Sequence, residues 1–129
     1  MYGAEVIYLD THVLVYLHDG EVSRLGAAAR KAIDRQDVLA SAAAVLELEF
    51  LHEIGRLRPT GSKLVSILAA SIGLRVCDLP FRTVVDQALA ESWTRDPFDR
   101  LIVANAKAAG APLVTRDERI RRHYSRALW

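Results

Sequence analysis

Val6-Ile7-Tyr8-Leu9-Asp10 is the stretch on which the fold turns. Its apolar run, with β-branched and aromatic members, reads as a buried strand rather than as one face of a helix. Asp10 closes the run at the strand's C-terminal end. In open parallel sheets, ligands bind outside that end. The acid is therefore both a boundary and a first candidate for chemistry.

Outward from this strand, short apolar runs alternate with helical patterns. A short helix around Val13 to Leu17 follows, then a second from Ala27 to Arg35. Val38-Leu39-Ala40 is a brief second strand. Ser41 has the chemistry of an N-cap, and the helix behind it is predicted to run to Leu57, with Gly55 weakening its last turn. Pro59-Thr60-Gly61 is a turn. Ser62 to Ser71 reads as helix, Leu74 to Cys77 as a third strand, and Phe81 to about Ser92 as helix. Asp96-Pro97 opens a helix that ends near Gly110. Pro112-Leu113-Val114-Thr115 is a fourth strand, ending at Asp117, and the Arg-rich remainder is predicted to be helical in part. The alternation predicts an α/β fold with a parallel sheet flanked by helices.

A length of 129 residues suits one domain, 1–129. The 51% hydrophobic and 26% charged content is that of a globular chain able to bury a core without staples. The net charge of +1 excludes a molecule that binds polyanions with its whole surface, so nucleic-acid contact must rest on a local basic patch. Cys77 is the single cysteine, which excludes an intrachain disulfide; its apolar neighbours predict a small core residue. No apolar stretch reaches the ~20 residues that span a membrane. Met1-Tyr2-Gly3-Ala4-Glu5 lacks the basic start and apolar core of a signal peptide. A cytoplasmic protein without membrane association is expected.

Helical spacing places the remaining acids. Residues three, four and seven apart share a face. Glu47 then shares one with Ala43, Phe50, Leu51 and Ile54, although Val45, Leu46 and Leu48 make that helix apolar nearly all round. Asp99 shares one with Ile102, Val103 and Ala106. Both are carboxylates in apolar stripes, where an ionised group must be paired, protonated or metal-bound. Singly, each acid has a structural reading: Asp10 and Asp96 as helix caps, Asp117 as a turn residue, Glu47 as a partner for Arg56 or Arg58. Asp96 before Pro97 is a particularly good cap. Together, two strand-end acids and two inward helical acids fall at one edge of the sheet. Clustered carboxylates raise one another's pKa values, and a hard dication removes that cost. Mg2+ or Mn2+ fits an all-oxygen set, and such a site suits phosphodiester hydrolysis by activated water. His12, His18, His52 and His123 show no zinc spacing. His12 stands apart, two residues after Asp10.

At this point the sequence resembles a known family. Tyr8-Leu9-Asp10-Thr11-His12-Val13-Leu14-Val15-Tyr16-Leu17 is similar to the opening of a PIN domain, in particular the VapC-type toxin of a type II toxin–antitoxin pair. The segment Ser41 to Leu57 resembles the second block, with Glu47 at its acid. Asp96-Pro97-Phe98-Asp99-Arg100-Leu101-Ile102-Val103-Ala104 is the most specific match, and Leu113-Val114-Thr115-Arg116-Asp117 resembles the last block. The resemblance implies a PIN-like three-layer α/β/α fold with a central, mostly parallel sheet of four or five short strands. It implies a Mg2+- or Mn2+-dependent endoribonuclease, aimed at tRNA or rRNA, homodimeric and restrained by a VapB-type antitoxin. Asp10 and Asp99 would be the principal metal residues, Glu47 and Asp117 would complete the acidic centre, and Asp96 and Thr115 would assist. Arg116, Arg119, Arg121 and Arg122, with Arg126, form a candidate RNA-contacting patch, or else a solvated face paired with Asp117 and Glu118. Thr11-His12 departs from the small polar residue the family often carries there.

Rival classes are a phosphoreceiver domain, a PIN domain that binds RNA or a partner without cutting, and a DNA- or structure-specific nuclease. Asp10 has no acidic neighbour and the receiver's lysine is missing, which disfavours the first.

Overall fold

Five parallel strands form the sheet at the centre of the computed structural model, in the order β3-β2-β1-β4-β5. The structure describes residues 6–129, so the reading of Met1 to Glu5 lies outside the described residues. The strands are β1 (Val6–Leu9), β2 (Asp37–Ala40), β3 (Arg75–Val76), β4 (Leu113–Val114) and β5 (Ala127–Leu128). Between them run helices α1 (Thr11–His18), α2 (Ala27–Arg35), α3 (Ala42–Glu53), α4 (Gly61–Ile72), α5 (Phe81–Ala88), α6 (Pro97–Ala108) and α7 (Glu118–His123), with a 3-10 turn at Val22–Arg24. All of β1 is buried, with Ile7, Tyr8 and Leu9 at 1% exposure or less. A parallel strand covered on both sides has no use for a polar face, which is why its sequence does not alternate.

The chain builds outward from β1 through β2 to β3, then returns to place β4 on the other side of β1. Tyr8 and Leu9 pair with Leu113 and Val114, and the Asp10 N–H donates to the Val114 carbonyl at 3.0 Å. The strand order reverses between β1 and β4, and a sheet opens a ligand crevice at such a point, beyond its carboxyl ends. Asp10 and Thr115 are the first residues past those two strands.

The edge strand β5 lies in the Arg-rich remainder and completes the sheet, with Leu113 and Val114 paired to Ala127 and Leu128. Two helices end earlier than their apolar patterns suggest. The α3 helix stops at Glu53, because Gly55 takes φ +79° and the Arg56 N–H turns back to the Leu51 carbonyl. Glycine accepts that left-handed conformation without a Cβ clash, so it terminates the helix rather than weakening it. The α5 helix stops at Ala88, three residues before Glu91 turns inward. Gly61 sets how closely α4 approaches α3. Its N–H donates to Glu49 Oε1 at 2.9 Å. A Cβ there would stand 2.6 Å from the Val45 carbonyl oxygen. Among the described residues, no helix is long and apolar enough to cross a membrane.

Candidate active site

Asp10 leaves β1 with its carboxylate 5% exposed and bonded on both oxygens. The Thr11 N–H donates to Oδ1 at 2.8 Å, and the Thr115 hydroxyl donates to Oδ2 at 2.7 Å. The Thr115 oxygen also accepts the Asp117 N–H at 3.0 Å. One hydroxyl thus ties the ends of β1 and β4 together. Thr11, wholly buried at the first turn of α1, donates its own hydroxyl to Glu47 Oε1 at 2.5 Å. The two threonines pin two acids drawn from elements far apart in sequence.

Asp96 and Asp117 both cap helices. Asp96 Oδ1 accepts the N–H groups of Phe98 at 2.9 Å and Asp99 at 3.1 Å. Asp117 Oδ1 accepts those of Arg119 at 2.8 Å and Ile120 at 3.1 Å. Each accepts both N–H groups on one oxygen. Asp99, one turn into α6, is half-buried. Its neighbours Ile102, Val103 and Ala106 are buried at 1% or less, as the helical spacing requires.

Electrostatics identifies the centre of the group. Burial first, then the charges of Asp96, Asp10, Asp117 and Glu47, push the Asp99 carboxyl from 3.8 up to about 7. Burial also raises Asp10 and Glu47, although hydrogen bonds from Thr115 and Thr11 partly offset it. His12, exposed on α1, lies close enough for its charge to lower both. A set of acids that holds one member half-protonated near neutrality is short of positive charge, and its donors are all oxygen. That chemistry fits Mg2+ or Mn2+. Among the described residues, no three Asp, Glu, His or Cys side chains stand close enough together to hold a metal ion.

Residues 7–125 match the model of the PIN domain family. This chain belongs to the PIN domain family. It is 37% identical over 119 residues to Ribonuclease VapC22 of Mycobacterium tuberculosis, with 91% of each chain covered. Its fold is shared with a toxin–antitoxin complex from Klebsiella pneumoniae at a TM-score of 0.64 and 15% identity, covering 95% of this chain and 96% of that one. VapBC2 from Rickettsia felis, bound to a DNA fragment from its promoter, gives a TM-score of 0.63 at 16% identity, with 91% and 92% covered. At these identities the likeness is one of architecture.

Within this PIN domain, Asp10, Glu47, Asp96, Asp99, Thr115 and Asp117 come together. One sequence expectation needs correction. The face of α3 that packs inward is Ala44 and Leu48, both fully buried, while Phe50 and Ile54 are 48% and 49% exposed. A helix apolar nearly all round gives no unique inward direction, and small Ala44 permits the closer approach. Glu47 sits on the flank of that face, half-buried, and meets Thr11 rather than an arginine. Of the five arginines, Arg122 is exposed and the other four are hydrogen-bonded within the fold. Arg116 donates to the Tyr16 hydroxyl at 2.5 Å, Arg119 to the Trp93 carbonyl, Arg121 to the Arg116 carbonyl at 3.3 Å and Arg126 to the Gly110 carbonyl. Their bonds go to backbone and a phenol, not to Asp117 or Glu118.

Sequence reasoning passed over Thr11 as a holder of Glu47, and over the buried Glu91. Burial raises the Glu91 carboxyl, but hydrogen bonds from Trp93, Lys107 and Gln87 and the Lys107 charge outweigh it, so its pKa lies below the ordinary value. Glu91 and Lys107 are sixteen positions apart, and no local pattern joins them. Thr11 carried a weak signal, a hydroxyl directly after a strand-end acid.

Proposed function

We propose that this PIN domain is a Mg2+- or Mn2+-dependent endoribonuclease, the toxin of a type II toxin–antitoxin pair. The observation that carries the reading is the convergence of acids from β1, α3, α6 and the end of β4 on Asp99, whose carboxyl is held at about 7. The similarity to Ribonuclease VapC22 supports RNA as the substrate, with tRNA or rRNA the expected class. The shared fold of toxin–antitoxin complexes supports a VapB-type protein partner. The setting is the cytoplasm, and the working unit a homodimer.

Asp10 and Asp99 would hold the cation, and Glu47 and Asp117 would reach it directly or through water. When bound, a hard dication supplies positive charge to the phosphodiester and acidifies water for attack at phosphorus. The chain's own contribution is order. Thr115 fixes Asp10 from the β4 side and Thr11 fixes Glu47 from the α1 side. Each hydroxyl donates to the ionised form of its acid, which opposes the protonation that burial favours. Asp96 holds the first turn of α6 and so fixes where Asp99 stands.

The test is cleavage of single-stranded RNA by the purified chain with Mg2+, after EDTA, and after Mg2+ is restored. Loss and recovery are expected; undiminished cutting in excess EDTA would sink the metal-dependent reading.

A further inference from the structure

The rings of Trp93 and His123 are stacked, with centroids 4.5 Å apart and planes 8° from parallel. Both are held in place. Trp93 Nε1 donates to Glu91 Oε1 at 2.9 Å. Glu91 is 2% exposed and is clamped by Lys107 Nζ at 2.9 and 3.0 Å. Arg119 donates to the Trp93 carbonyl, and its guanidinium carbon lies 5.7 Å from the centre of the Trp93 ring. His123 Nδ1 is 2.9 Å from the Arg119 carbonyl oxygen. A carbonyl only accepts, so Nδ1 carries the proton and the imidazole is oriented. Trp93 is half-buried and His123 exposed. A stack built only to close the core would bury both rings; this one ends at solvent.

Its place in the fold ties it to the acidic centre. Trp93 lies just before Asp96, whose N–H donates to Thr94 Oγ1 at 3.2 Å. His123 ends α7, and Asp117 caps the other end of that helix. The helix has six residues, about 9 Å of rise, roughly two or three stacked nucleotides at ~3.4 Å each. The last turn of α7 carries Arg121, Arg122 and His123. Arg122 is exposed and has no internal partner among the described residues. A flat aromatic face flanked by cationic charge complements a nucleobase on its phosphate chain.

We propose that the Trp93–His123 stack is a platform for one unpaired nucleobase of single-stranded RNA, seated a few nucleotides from the phosphate at the acidic centre. The inference rests on the ribonuclease reading. Bases in a duplex are already stacked on their neighbours and cannot splay onto a protein ring, so the platform selects single strands.

The test uses the full chain carrying Asp99→Asn, so that binding is read without cleavage. Affinity is measured by fluorescence anisotropy for a labelled, unstructured oligoribonucleotide and for the same strand annealed to its complement. His123→Ala should weaken single-strand binding about tenfold, the order of one base–aromatic stack. His123→Phe, which keeps a flat ring, should restore most of it, and duplex binding should change with neither. Thermal melts establish that the variants are folded. Single-strand affinity of His123→Ala within about twofold of its parent would overturn the platform, as would equal weakening by Ala and Phe. Cleavage by the otherwise wild-type chain, run alongside, separates the two readings. A chain that neither cuts nor binds RNA removes the ribonuclease reading and the platform with it. Intact cutting with binding indifferent to His123 removes the platform alone.

Discussion

Asp99→Asn is expected to abolish cleavage and, at the same time, to stabilise the metal-free protein. Asp99 is held at about 7 instead of 3.8 by burial and by its acidic neighbours. At ~1.4 kcal/mol per pH unit, that displacement caps the cost of ionising it in the folded chain at ~4 kcal/mol. The side chain is partly open to water, and screening reduces the expected cost to ~2 kcal/mol. The direction fixes the pH window. Below 3.8 the carboxyl is protonated in both folded and unfolded chains and the cost is nil; it grows as pH rises and is complete above about 7. Asparagine never ionises and never incurs it. In EDTA at about pH 8 the variant should therefore melt above its parent by about 8 °C, at ~4 °C per kcal/mol for a chain of this size. At about pH 3.5 the two melts should coincide. Added Mg2+ should raise the parent's melting temperature and leave the variant's where it was. A variant no more stable than its parent at pH 8, or equally more stable at both pH values, would refute the electrostatic argument.

Asp96 divides its roles differently. Asp96→Asn should keep the cap and much of the cleavage while shifting the acid limb of the pH–rate profile downward, because one of the charges that raises Asp99 is gone. Asp96→Ala should cost ~1 kcal/mol in a urea titration through the lost cap. If Asp96→Asn is folded and as inactive as Asp99→Asn, Asp96 belongs with the metal ligands. Thr11→Val removes the donor to Glu47 at nearly constant shape and should weaken Mn2+ binding by calorimetry, whereas Thr11→Ser should retain it; equal affinities for the two would show that the hydroxyl is idle. Gly61→Ala forces a Cβ to within 2.6 Å of the Val45 carbonyl and 2.9 Å of the Glu49 nitrogen. It should destabilise by ~1–3 kcal/mol through separation of α3 and α4, and an unchanged urea midpoint would contradict that contact.

What the sequence made legible follows the range of the interactions involved. The unbroken apolar run of β1 announced a covered parallel strand, and a strand's end is a position that can be read without knowing its neighbours. Asp10 was visible for that reason. Asp99 was visible because the stripe Ile102, Val103 and Ala106 is a local, periodic signal. On α3 the same argument lost its footing, since a helix apolar on every side does not say which side faces in. Strand β5 was passed over because Ala127-Leu128 ends an Arg-rich stretch with no apolar run before it, and only its pairing with Leu113 and Val114 defines it. Contacts such as Thr11 with Glu47, or Glu91 with Lys107, join residues with no shared pattern. They exist because the helices dock as they do, and docking is set by the whole core.

The insertion of β4 beside β1 has a consequence for biosynthesis. A nascent chain of one hundred residues already contains Asp10, Glu47, Asp96 and Asp99, yet nothing in that stretch occupies the flank of β1 where β4 belongs. The hydroxyl that fixes Asp10 arrives 105 positions after it, along with Asp117 and the strand that carries them. Four of the six clustered residues thus precede the brace that fixes Asp10, and the arrangement closes only once β4 is seated beside β1.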